Sequence, residues 1–367
     1  MIARARARHG DALLVALTGA HAAVLMAAPT APVIAIGLWW NANTISHCFI
    51  HRPFFRHRSA NRLFAAFLSV LLGFPHALWR DRHLAHHAGV EGPTRLSGEL
   101  AVHTGLVLLL WTLMVTVAPL FFLSVYLPGC AAGLLLCATH GYYEHAHGTT
   151  SHYGRLYNLL LFNDGYHVEH HANPARHWTR LPDCRNPAAR ASRWPAPVRW
   201  LESDGLIALE RLALRSPWLQ RFLIHAHERA FHDVLARAGY SFSGSPRIAI
   251  VGGALFPRTA LVLRRLVPGA RLTIVDGNSA HLDVARSWPG AHGIVFIHAR
   301  FPMEPAANRA EDYDLVVLPL SFEGDRDAEY AHPPAEAVIV HDWLWRRRGI
   351  SRIVSLALLK RVNLVRP

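Results

Sequence analysis

Residues Asn158–Pro174 read NLLLFNDGYHVEHHANP, and at their centre stands His167-x-x-His170-His171. In a helix, positions i, i+3 and i+4 share one face, so three imidazoles would converge on a point. The same triplet occurs earlier as His83-x-x-His86-His87, and the pair His47-x-x-x-His51 precedes both. The spacing predicts one metal centre gathered from separated segments. The rest of the first half would then hold that centre at a membrane surface.

Histidine accounts for 26 of 367 residues, about 7%. At that frequency roughly 0.1 HxxHH motifs per chain arise by chance, against two here, whereas roughly two HxxxH pairs are expected and carry no weight alone. Apolar residues make up 51% and charged residues 17%, low beside the roughly 25% charged residues of soluble domains. The apolar residues fall in runs, which points to membrane spans. A net charge of +13, almost all arginine, fits cytoplasmic, lipid-facing positions. No recognition motif or basic–aromatic alternation supports a nucleic-acid partner. Cys48, Cys130, Cys137 and Cys184 show no CxxC spacing, so neither a disulfide framework nor an iron–sulfur cluster is indicated.

Arg4, Arg6 and Arg8 precede two apolar stretches, Leu13–Ala28 and Ala31–Ile45, separated by Pro29 and Pro32. The apolar character continues past any cleavage site to Trp40, so a helical hairpin is favoured over a signal peptide. With the arginines inside, both its ends face the cytoplasm. One full crossing by Leu63–Leu78 would put the first two histidine clusters on opposite faces. That segment is therefore expected to re-enter or lie in the interface. Val102–His140 is long enough for two spans, with breaks at Pro119 and Pro128-Gly129. The expectation is an α-helical membrane domain over 1–185 with about four transmembrane helices plus interfacial ones. A polar, Arg- and Pro-rich linker with amphipathic helices follows over 186–244, where Leu209, Leu212, Leu219, Phe222 and Leu223 fall at helical spacing. An α/β Rossmann-like domain over 245–367 completes the chain.

Neutral imidazole suits iron, zinc or copper, and eight such groups exceed what one metal takes. Two metals are the natural count. Zinc would be redox-inert, and a histidine-rich zinc transporter or sensor is the non-enzymatic alternative, although transporter ligands would sit within the spans. Iron could activate dioxygen, and a site beside lipid suits a substrate with apolar C–H bonds. His9, His57, His76, His103, His140, His147, His152 and His177 read as surface, interfacial or supporting residues. Asp81, Glu144, Asp164 and Glu169 stand where acceptors for ligand N–H groups would be useful. Trp39, Trp40, Trp79 and Trp111 read as interface anchors and packing.

The three clusters, in order, resemble the histidine boxes of the integral-membrane fatty acid desaturase superfamily, which includes hydroxylases and bacterial alkane monooxygenases. The resemblance covers about residues 10–185. It implies a non-haem diiron centre on the cytosolic side of a membrane domain, probing a lipid acyl or alkyl chain with dioxygen. It also implies two electrons from a separate ferredoxin- or cytochrome-type donor, and a bacterial inner membrane as the setting. Tyr142-Tyr143-Glu144-His145 resembles the alkane-monooxygenase motif that supplies an extra ligand. The implied metal set is thus His47, His51, His83, His86, His87, His145, His167, His170 and His171. Acyl-CoA desaturases instead use a polar residue upstream of the last box, for which Asn158, Asn163 or His152 could serve. Cys48 stands where the alkane enzymes carry glutamate. Fatty acid desaturation is the leading expectation, and alkane or acyl hydroxylation is the alternative.

From Arg247 the pattern changes to strands alternating with helices, which predicts a parallel doubly wound sheet. RIAIVGGALFPRTALVLRRLVPGARLTIVDGN holds a strand, the turn Gly252-Gly253, a helix, and a strand ending in Asp276. The glycines let backbone approach a ligand, and the acid can accept from ribose hydroxyls. This arrangement resembles class I S-adenosylmethionine-dependent methyltransferases. Ala254 and Pro257 replace the later glycines of GxGxxG, which disfavours NAD. A bifunctional enzyme that also methylates, and a degenerate module that binds a partner, are both compatible with these residues.

Overall fold

The computed structural model describes residues 2–90, 92, 96–146, 148–202, 204–240, 242, 244–253, 255–299, 301, 313–322, 324 and 326–367, with side chains from residue 9 onward. Ala254 and His147 lie outside these. The chain divides into two compact units, Met1–Trp200 and Leu201–Pro367.

The first unit is helical. Helix α1 (Ile2–Ala27) is followed by α2 (Ala31–Asn41), a single π turn at Ala42–Ser46, and α3 (His47–His51). The second arm of the expected hairpin is thus not one uninterrupted α-helix. The π turn inserts an extra residue into the helical register immediately before the first histidine pair. Helix α4 (Arg58–Leu72) ends on Gly73 in the left-handed region, φ 72°, and α5 (His76–His87) leaves it at a bend of 102°. A left-handed residue is the common helix terminator, and glycine adopts it without strain. Bent this way, α4 and α5 form either a broken span or a re-entrant loop; the second of these is what the sequence leads one to expect for Leu63–Leu78.

Next come α6 (Gly98–Val117), whose first turn is capped by Ser97 Oγ accepting from Leu100 N at 3.1 Å, then α7 (Pro119–Phe121), a second π turn at Phe122–Tyr126, and α8 (Leu127–His145). His9–Ala27, Gly98–Val117 and Pro119–His145 are long and apolar enough to cross a membrane. Only 17–22% of their residues are buried within the protein. A helix this apolar with so much outward surface needs a lipid neighbour. Short helices α9 (Arg155–Leu160) and α10 (His167–Ala172) close the unit. Its core packs Leu14, Ile45, Phe49, Phe64, Leu68, Leu72 and Phe162.

The second unit opens with α11 (Asp204–Arg215) and α12 (Pro217–Arg237). The sequence places these helices in an interdomain segment. Here Ala226, Ala230, Phe231, Val234 and Leu235 of α12 are buried in the core of the sheet, because its apolar stripe matches that face. Among the described residues the sheet has seven strands: β1 (Arg247–Val251), β2 (Arg271–Asp276), β3 (Val295–His298), β4 (Leu315–Leu318), β5 (Ala337–Trp343), β6 (Ile350–Ser355) and β7 (Lys360–Val365). Helices α13 (Arg258–Leu266), α14 (Ser279–Arg286) and α15 (Arg326–Ala331) lie between strands. The order is β3-β2-β1-β4-β5-β7-β6. The first five strands are parallel, but β7 runs antiparallel to both β5 and β6. The sheet is therefore mixed, not wholly parallel. The short connection from Ser355 to Lys360 cannot hold a crossover helix, so β7 must return as a hairpin partner of β6.

Close packing of α8 on α2 brings together the segments that end in His145 and begin the His47 pair. A Cβ on Gly129 would lie 2.9 Å from Ala31 O, and one on Gly133 2.9 Å from Ala35 O and 3.1 Å from Leu38 Cβ. These glycines, four residues apart, let the backbones approach as small residues do between membrane helices. Gly133→Leu is expected to lower the thermal midpoint of the detergent-solubilised chain, by overpacking worth about 1–3 kcal/mol. Gly141→Ala, whose Cβ would meet nothing within 4 Å, is the matched control and should not lower it.

Candidate metal centre

Four helices bring the three histidine clusters into one place. α3 supplies His47 and His51, α5 supplies His83, His86 and His87, the end of α8 supplies His145, and α10 supplies His167, His170 and His171. The last triplet is indeed helical. It follows a strained turn in which Phe162 and Asn163 have φ of 51° and 63°, rare for a bulky residue such as Phe and typical of functional sites. Asn163 Nδ2 donates to Trp178 O at 3.0 Å, and Trp40 Nε1 to Leu160 O at 2.9 Å, pinning that turn. Gly165 is required there, since a Cβ would fall 2.2 Å from His152 O.

Each triplet is shared between two groups. His47, His51, His83, His87 and His170 point ring nitrogens at one another. The Nε2–Nε2 separations are 2.8 Å for His51–His83, 3.0 Å for His47–His170, 3.1 Å for His83–His87 and 3.2 Å for His87–His170. In the second group, His145 Nε2 lies 3.1 Å from His86 Nε2 and 3.0 Å from His167 Nε2, and His171 joins them. Two ligands at right angles around a metal about 2.1 Å away stand about 3 Å apart, so both groups have the edge length of a coordination shell. His171 Nε2 is buried with no hydrogen-bond partner, a lone pair that a metal would satisfy. All-imidazole donor sets suit iron, zinc or copper.

Four of the rings are held neutral. Burial, with the neighbouring histidines adding to it, pushes His51 and His171 down to about 3, and depresses His167 and His170 further. Neutral imidazole is the form that binds metal.

Of the four candidate carboxylates, two reach ligand rings. Glu144 Oε1 lies 3.1 Å from His167 Nδ1, and Asp164 Oδ1 3.6 Å from His47 Nδ1. Glu169 instead accepts from Ser151 Oγ (2.9 Å), Tyr153 OH (2.7 Å) and Asn186 N (2.9 Å), tying the final helix to its flanking loops. Asp81 pairs with Arg80 at 2.8 Å. Asn158 donates to His152 O and Gly154 O, Asn163 to Trp178 O, and His152 Nδ1 meets Ser192 O. Trp39 is more than an interface anchor, because its Nε1 donates to His140 Nδ1 at 3.1 Å. Tyr157 OH donates to Asp164 Oδ2 at 2.8 Å; one tyrosine in an apolar run carries no sequence signal for this.

A cavity abuts the larger group. His47, His51 and His170 form one wall, and Phe54, Phe162 and Trp178 are among its apolar lining.

In the second unit, Gly252 (φ 93°) and Gly253 (φ 74°) make the turn after β1, and Asp276 ends β2 beside it. This is the carboxyl edge of the sheet, where open α/β sheets bind ligands.

Residues 23–97 and 94–201 match the fatty acid desaturase family, nearly the whole first unit. Over 59 residues the chain is 41% identical to a sphingolipid delta(4)-desaturase of Candida albicans, covering 14% of this chain and 16% of that protein. The chain thus spans about a sixth of that curated relative. Among solved structures it is similar to the plantazolicin methyltransferase BpumL in complex with SAH, at 16% identity and a TM-score of 0.29, covering 40% of this chain and 56% of that one. It is also similar to MtNAS in complex with MTA and tNA, at 16% identity and a TM-score of 0.30, covering 47% and 71%. The first unit, over residues 23–201, is thus similar to the fatty acid desaturases, and the second carries a mixed sheet.

Acid should act on the empty site in a defined direction. The unfolded chain protonates His51 and His171 near 6.5, whereas the folded chain resists until about 3. Since the unfolded state binds more protons in that window, stability falls as pH falls. Chelator-treated protein in detergent should show a lower thermal midpoint at pH 5 than at pH 7.5, and a His51→Phe/His171→Phe double variant should show a smaller difference.

Proposed function

We propose that the chain is a membrane-bound non-haem diiron oxidoreductase that desaturates a lipid acyl chain, using dioxygen and electrons from a separate donor protein. The observation that carries this reading is the pair of imidazole groups with ring nitrogens 2.8–3.2 Å apart, in a unit matching the desaturase family. His47, His51, His83, His87 and His170 would hold one iron, and His86, His145, His167 and His171 the other. When bound, the iron pair supplies dioxygen activation and C–H oxidation, with two hydrogens lost from adjacent methylenes and two waters formed as two electrons and two protons enter.

The protein's own groups do the rest. Glu144 Oε1 stands 3.1 Å from His167 Nδ1, behind the ring, where a carboxylate would favour the tautomer that turns a bare Nε2 toward the cluster. The apolar wall of the cavity, Phe54, Phe162 and Trp178, excludes water and seats methylenes against the ring cluster. Seating decides the product: two adjacent C–H bonds in reach give an alkene, one gives an alcohol. We place about four helices in the bilayer, with the bent α4–α5 pair as the fourth element, the clusters on the cytoplasmic face and a bacterial inner membrane as host. The domain scheme is a membrane unit, a linking segment and a Rossmann-like module, in which Gly252, Gly253 and Asp276 would hold S-adenosylmethionine.

Purified protein should contain about two irons per chain; zinc alone would sink the oxygenase in favour of a zinc transporter or sensor. Lipids from a host expressing the gene should gain double bonds, read as a loss of two mass units, and His170→Ala should abolish the gain. New hydroxyls in their place would make the enzyme a hydroxylase. Calorimetry of the full-length chain with S-adenosylmethionine should give saturable heat that Gly252→Val and Asp276→Ala remove. No heat at millimolar ligand would reduce the second unit to a docking module.

A further inference from the structure

His140 is fully buried in α8 and belongs to neither imidazole group, yet it touches the supports of both. Its Nδ1 receives the Trp39 indole N–H at 3.1 Å. Indole nitrogen is a donor only, so Nδ1 must be the acceptor and the ring proton of neutral His140 sits on Nε2. That nitrogen lies 3.3 Å from Glu144 Oε1, 3.1 Å from Asp164 Oδ2 and 3.2 Å from Tyr157 OH. A metal among His140, Glu144 and Asp164 would need Nε2 deprotonated, hence an imidazolate, which the Trp39 contact disfavours at ordinary pH. The trio is a hydrogen-bonded strut.

The two carboxylates lead to different groups. Glu144 Oε1 reaches His167 Nδ1 in the four-histidine group, and Asp164 Oδ1 approaches His47 Nδ1 in the five-histidine group. Carboxylates behind ligand histidines set ring orientation and ligand basicity. Here one N–H sits between both carboxylates.

We propose that His140 is a positioning residue that couples the two halves of the centre, through Glu144 to His167 and through Asp164 to His47. Trp39 sets its tautomer, and Tyr157 donates to the same Asp164 oxygen that His140 approaches. This rests on the diiron reading above. It adds that the two metal positions are adjusted together by a residue that contacts neither.

The test uses full-length protein loaded with iron-57 in detergent and read by Mössbauer spectroscopy and iron content. Wild type should give two iron environments of equal area. E144Q should alter one and D164N the other, each with about 10–100-fold weaker iron retention against chelator at that position. H140F should alter both, and H140Q, whose amide N–H can stand in for Nε2–H, should restore them. W39F leaves every carboxylate contact in place but frees the tautomer, so it should alter both environments more weakly; it decides the matter if H140F does not fold. An H140F or W39F spectrum identical to wild type, or a change confined to one environment, overturns the coupling while the diiron reading stands. Wild-type protein without an iron pair overturns that reading itself, and the coupling falls with it.

Discussion

Eight imidazole Nε2 atoms stand about 3 Å from a neighbouring Nε2 in two clusters, and that of His171 is buried beside them without a hydrogen-bond partner. A neutral imidazole carries one proton, so a ring that holds it on the outward Nδ1 turns a bare lone pair toward its cluster. Burial also opposes protonation, which would otherwise set like charges together. Converging lone pairs of this kind would suit a cation. The first unit can be understood as the scaffold this constraint demands: four helix ends aimed at one volume, two buried carboxylates behind the rings, and glycines that let α2 and α8 approach closely enough to bring the ends together.

The same constraint explains the bend between α4 and α5. His51 and His83 meet at 2.8 Å, so α3 and α5 must come together there. The segment between them has to double back. Gly73 supplies the left-handed turn, and Ser69 Oγ accepts from His76 N at 3.0 Å to start the next helix.

Much of this was legible in the residues. Two HxxHH triplets and a flanking pair named the groups that gather, because helical spacing is short-range and the ligand type is chemically narrow. Apolar runs marked the helices for the same reason. The strand-forming segments Ile248–Val251, Leu272–Val275 and Leu315–Leu318 stand as read, since each is a short β-branched run bounded by turns. What could not be read depends on distant pairing. Nothing local distinguishes Glu144 and Asp164, which back ligand rings, from Glu169 and Asp81, which do not. The strand β3, with weakly buried Val295 and Phe296, carries little periodicity, and the reversal of β7 is decided by its partners in the sheet. Trp39 looked like any interfacial tryptophan until its N–H was seen against a buried histidine.

The π turn at Ala42–Ser46 adds a point about register. It is a one-residue excess wound into an otherwise continuous helix from Ala31 to His51. An α-helix advances about 100° per residue, so relaxing that turn to ordinary winding would swing His47 and His51 together away from the other seven rings. The helix would stay intact and its composition would not change. The first histidine pair therefore owes its aim to a phase offset, and a chain with every histidine in place but this offset removed would keep its membrane helices and lose its centre.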